Sequence, residues 1–122
     1  MAYELVGIKP KSCFGMCARL NIWKWYEFVR MLKYFDIISE NMFPLWMMND
    51  YIILTDEESE ELSKKIKTNL NRFDDFIKKL YLEEIPYSFM PWHREVCCPI
   101  LHKADIKYIL LFLDNCGGFR IN

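Results

Sequence analysis

Residues 20–35, LNIWKWYEFVRMLKYF, carry six aromatic side chains in sixteen positions. No other stretch constrains the fold as much. Each large ring covered by protein contributes on the order of 2–3 kcal/mol or more, so a segment this rich in rings must lie where other elements cover it. The spacing is helical: Ile22, Trp25, Phe28 or Val29, Leu32 and Phe35 follow one stripe, which Trp23, Tyr26 and Tyr34 widen. Lys24, Glu27, Arg30 and Lys33 fall on the opposite side. Asn21 stands where its side chain can accept from the first free amides of a helix. The stretch is therefore expected to be a core helix with more than one neighbour. Trp23 and Trp25 could instead stack a ligand, but no phosphate or metal motif flanks them.

The rest of the chain arranges itself around that helix. Residues 3–8 alternate as a short strand, with Tyr3, Leu5 and Gly7 on one face, and Pro10 ends it. Residues 13–18 read as a loop holding Cys13 and Cys17, with Gly15 permitting a tight turn. Residues 37–48 admit a short helix with Pro44 in its first turn, and residues 51–54 read as a short buried strand or an apolar lead-in to the next helix. Thr55 and Glu58 form a capping box, and Asp56, Glu57 and Glu58 suit the positive end of a helix dipole. The helix they start is expected from about 56 to about 82, with a weak point at 69–71. Residues 83–103 contain Pro86, Pro91 and Pro99, which exclude a long helix. A last helix is expected over 104–115, with Ile106, Ile109, Leu110 and Leu113 inward, ended by Gly117-Gly118. Residues 119–121 form a strand whose natural partner is 3–8. The fold class is mostly helical α+β: two long helices and a C-terminal helix on a small antiparallel sheet formed by the termini.

At 122 residues the chain fits a single domain over 1–122. Its 52% apolar content with 27% charged residues describes a globular chain rather than a disordered one. A net charge of −1 argues against a broad nucleic-acid surface, which would be plainly basic. The longest apolar run, residues 108–113, is far below the ~20 residues that cross a bilayer. The first eleven residues do not read as a secretory signal. Five cysteines in that setting suggest thiols or metal ligands in a reducing cytoplasm.

One group of residues resembles a metal site: Cys13 and Cys17 with His93, Cys97, Cys98 and His102. Zinc takes four thiolate or imidazole ligands, usually as two close pairs. The spacing lacks the usual two-residue knuckle and Pro99 interrupts the second block, so buried thiols are the default reading. The same residues would allow a Cys–His hydrolase, although no flanking signature supports one. Neither a phosphate loop nor GxGxxG is present, and Gly117-Gly118 reads as a helix stop. The acids at 56–58 and 60–61 are expected to form a cap and a solvated face, with a binding face for a basic partner as the alternative. The aromatic and Met content suggests more apolar surface than a core this size hides, which marks interfaces. The candidates are Phe43, Trp46, Met47 and Met48, then Tyr87, Phe89 and Trp92.

Three segments, Arg19-x-Asn21-x-Trp23-x-Trp25, Asn49-Asp50 before a capped helix, and Cys116-Gly117-Gly118-Phe119-Arg120-Ile121, resemble a small family of bacterial and phage proteins without an assigned function. That family has RxNxWxW, Asn-Asp-Gly and Ser-Gly-Gly-Phe-x-Ile at these places. Here Tyr51 replaces the turn glycine and Cys116 the serine. The resemblance covers about two thirds of the chain and implies a compact cytoplasmic protein of mobile-element type. The expected function is non-catalytic binding of another protein, as a small regulator or inhibitor acting on a defence system and needing no cofactor. Self-association as a homodimer is an option. The competing reading is a zinc-binding or thiol-dependent small enzyme built on the Cys/His residues.

Overall fold

The computed structural model describes residues 2–48, 52–80 and 101–121. Alternation along its strands builds one four-stranded antiparallel sheet. Strand β1 (Ala2–Gly7) pairs on one side with β2 (Cys17–Asn21) and on the other with β4 (Phe119–Ile121), and β4 pairs with the two-residue β3 (Ile53–Leu54). The register sets Leu5 opposite both Ala18 and Ile121, and Gly7 opposite Phe119. Because side chains alternate across a sheet, Leu5, Ala18, Leu20, Phe119 and Ile121 are all buried. Cys17, Arg19, Arg120 and Ile53 take the exposed face, where Arg19 meets the cross-strand Glu4 at 3.8 Å.

The pairing of the two terminal strands is as expected; β2 was not foreseen. Residues 17–21 read as the end of a loop and the start of the aromatic helix. Leu20 fits the helical stripe as well as it fits a strand, and five residues are too few to separate the two periods. The sheet's outer edge at β2 is closed in part by a side chain, since the Arg19 N–H donates to the Tyr108 hydroxyl at 3.2 Å. Such cover limits edge-to-edge pairing.

Helix α1 (Ile22–Tyr34) starts directly after β2, with the Asn21 side chain accepting from the Lys24 N–H at 2.8 Å. Trp25, Phe28, Val29, Met31 and Leu32 are buried along it. Trp25 stacks between Tyr3 (5.2 Å) and Trp46 (6.0 Å) and donates its indole N–H to the Trp46 carbonyl at 2.8 Å. Trp23 points outward and is 58% exposed. Glu27, expected on the solvent face, is instead buried and accepts from the Leu101 N–H at 3.1 Å. A carboxylate that accepts a backbone N–H recovers part of its desolvation cost. Helix α2 (Phe43–Met47) has Pro44 in its first turn, as read.

The Thr55–Glu58 capping box is present in both directions, at 3.2 and 3.1 Å. Helix α3 (Asp56–Asn69) gives way to a 3-10 turn (Leu70–Arg72) and then α4 (Phe73–Lys79), so the break falls at the expected weak point. The end of this helix beyond Leu80 lies outside the described residues, as does most of the proline-rich segment. Helix α5 (Lys103–Asn115) packs against α3, with Phe112 buried besides the four residues expected. Phe73, Phe76 and Leu80 complete the core against Tyr34 and Phe35. Among the described residues, no helix is long and apolar enough to cross a membrane.

The chain ends meet at a tight backbone junction. Residues 8–11 run along the end of α5: the Ile8 N–H donates to Gly118 O at 2.8 Å, Lys9 to Cys116 O at 3.1 Å and Lys11 to Asn115 O at 2.7 Å. The 3-10 turn at Cys13–Gly15 fills the remaining space. A side chain at Gly15 would collide with the Asn115 carbonyl, and Gly117 adopts φ +64°. Here glycine is required by close approach at one position and by left-handed backbone at the other.

Candidate functional site

Helix α2 and the loop before it leave an open groove against the first two turns of α3. Its volume is about 390 Å³, and its walls include Ile37, Ile38, Met42, Trp46, Leu54 and Leu62. The apolar floor follows from local sequence. Pro44 starts a helix too short to bury all its apolar residues, so Trp46 turns under it while Met42 stays 39% exposed. Glu57, Glu58 and Glu61 stand at the rim because Thr55 fixes where α3 begins and spacings of three and four put them on one side. Lys65 is the one cation among the described lining residues; it pairs with Glu61 at 3.9 Å. Glu58 is engaged with the Thr55 N–H. The arrangement can hold an apolar group flanked by positive charge.

The α2 candidates separate in space. Trp46 is only 3% exposed, so its ring serves the core and the groove floor rather than an outer patch. The cause is its stacking on Trp25. Phe43 is half-buried beneath the Lys33 ammonium, 4.6 Å from its ring centre. Met47 is half-buried, its carbonyl accepting from the Tyr3 hydroxyl at 3.3 Å. Met48 is 78% exposed. Tyr87, Phe89 and Trp92 lie outside the described residues. Met42 and the rim acids complete the groove; Met42 was missed because the run 42–48 is apolar at nearly every position and so carries no period that singles out the residues facing α3, whereas the acids were visible as a cluster.

Of the metal-like residues, Cys13 opens the 3-10 turn, Cys17 opens β2, and both are exposed. His102 precedes α5 and is exposed, with its N–H donating to Asp105 at 2.9 Å. Among the described residues, no three His, Cys, Asp or Glu come together to hold an ion. His93, Cys97 and Cys98 lie outside the described residues. Cys116 is fully buried; burial raises its thiol pKa, against smaller lowering effects of hydrogen bonds from Ser59 and nearby backbone. That leaves it a core residue with little thiolate near neutral pH.

Comparison with family models, with curated proteins and with solved structures finds no match for this chain.

Proposed function

We propose that this chain is a non-catalytic binding protein whose α2–α3 groove takes an apolar segment of another protein flanked by lysine or arginine. The observation that carries the reading is the pairing of an apolar floor with a rim of Glu57, Glu58 and Glu61, against which Lys65 is the one cation among the described lining residues. Burying apolar side chains supplies affinity, and the rim charges supply orientation and selection against acidic segments. A small protein that covers such a segment acts as a regulator or inhibitor of its owner. The resemblance to bacterial and phage proteins extends this to a cytoplasmic mobile-element protein directed at a defence component.

The test uses three labelled peptides of equal length: an apolar core flanked by lysines, the same core flanked by glutamates, and a lysine peptide without the core. Fluorescence anisotropy should show binding of the first alone. The charge-reversed variant Glu57→Lys/Glu61→Lys should weaken that binding at least tenfold while leaving the thermal midpoint within a few degrees. Equal binding of the first two peptides, or no effect of the variant, would refute the groove as the contact.

A further inference from the structure

A second concavity, which Phe43 of α2 helps to line, carries the opposite charge. It also measures about 390 Å³ and is lined by Arg30, Lys33 and Tyr34 from α1, Phe43 from α2, Arg72 from the 3-10 turn and Lys79 from α4. Its four cations come from three separate elements, and no carboxylate is among its described lining residues. The chain as a whole has a net charge of −1, so this convergence is not the local face of a generally basic protein.

The rings hold the cations in place. Lys33 Nζ sits 4.6 Å from the Phe43 ring centre and Lys79 Nζ 5.4 Å from that of Tyr34. The Arg72 guanidinium lies 5.6 Å from Tyr34 and 5.4 Å from Phe35. Arg72 also donates to the Asn69 side chain at 3.2 Å, which fixes its planar fork. Cation–ring contacts of this kind contribute about 0.5–1 kcal/mol each at exposed sites. They limit the side-chain entropy lost when a ligand arrives. Among the described residues, Lys33, Arg72 and Lys79 make no ion pair. Like charges held this close favour a ligand of opposite charge.

We infer that this concavity is a binding site for a small polyanion carrying two or more adjacent phosphate groups. The volume falls in the range of small-molecule sites, ~300–1,000 Å³, and exceeds what one phosphate fills. Clustered cations select the ligand with the most charge in the least space. Arg72 presents a bidentate fork, and the lysines act as mobile point charges, a division that suits neighbouring phosphate oxygens. The faces of Tyr34 and Phe43 are already turned to cations, so recognition rests on the phosphates and not on stacking of a base. The site is separate from the acid-rimmed groove and does not depend on it.

The experiment is titration calorimetry of the full chain with inorganic tripolyphosphate, ATP and adenosine at 50 mM and 300 mM NaCl. Tripolyphosphate and ATP should bind with similar affinity, weakening at least fivefold at the higher salt, and adenosine should give no heat. Lys33→Gln/Lys79→Gln should lower the affinity for tripolyphosphate at least tenfold, and Arg72→Gln should lower it independently. Lys64→Gln, an exposed lysine on α3 away from the concavity, should leave it unchanged. An absence of tripolyphosphate binding, adenosine binding as tightly as ATP, or an equal loss in Lys64→Gln would each overturn the assignment. So would binding of a single-stranded oligonucleotide through Lys33 and Lys79 where tripolyphosphate does not bind.

Discussion

Trp23 and Trp25 are two residues apart and differ in everything that matters to stability. Trp25 is fully buried, stacked on two rings, and donates a 2.8 Å hydrogen bond that ties α1 to α2. Trp23 meets Tyr26 edge-on and leaves most of its surface in water. Trp25→Phe retains an aromatic ring but deletes the hydrogen bond and part of the packing, so it should cost about 2 kcal/mol. Trp23→Ala should change stability by ~0.5 kcal/mol or less, as surface substitutions do. Urea unfolding of the two variants measures both, and comparable losses would contradict the assignment of α1's buried face. The helical stripe correctly made Trp25 a core residue. It could not show that Glu27 turns inward, because that carboxylate accepts from a backbone amide 74 residues away.

At the level of elements, those with a local chemical cause were legible. The Thr55–Glu58 box, the Asn21 cap, Pro44 and Gly117-Gly118 each act within one turn, and each marks a boundary where expected. β2 was not legible, since its identity depends on the register with β1. The same long-range dependence governs Gly15. Its sequence neighbours suggest only a tight turn, whereas the structure presses it against the Asn115 carbonyl at the end of α5. Gly15→Ala therefore tests a packing requirement. The backbone of α5 cannot yield without loosening the hydrogen bonds of residues 8–11, so the variant should lose about 2–3 kcal/mol. A fall in the urea midpoint with an unchanged slope would show this. A neutral or stabilising result would mean that the turn and α5 do not make this close approach in solution.

For the whole molecule, the charge layout was legible only in part. The acids at 56–58 and 60–61 stand out in the sequence, but the groove that Glu57, Glu58 and Glu61 border needs α2 folded beside α3. The basic concavity was invisible because Arg30, Lys33, Arg72 and Lys79 are scattered over fifty positions, and two of them read as an ordinary helix face. Folding also ties the charges to stability. Asp114 on α5 accepts from Ser63 at 2.6 Å and Lys67 at 2.8 Å, joining α5 to α3. Burial raises its carboxyl pKa, but the hydrogen bonds from Lys67 and Ser63, with the charges of Lys67 and Lys11, outweigh that and hold it below the ordinary aspartate value. A native pKa lower than the unfolded one means the native state favours the carboxylate. The resulting stability is fully present above the unfolded value, ~3.9, and is lost as pH falls through the lower native value. The pair is half exposed, so solvent screening limits the contribution to about 0.5–1 kcal/mol. Asp114→Asn should therefore be less stable than the parent by that amount at pH 7. The gap should close progressively below pH ~4. Urea midpoints of both proteins from pH 7 to pH 3 follow it, and a gap that stays constant across that range would show that the charge on Asp114 does not hold α3 and α5 together.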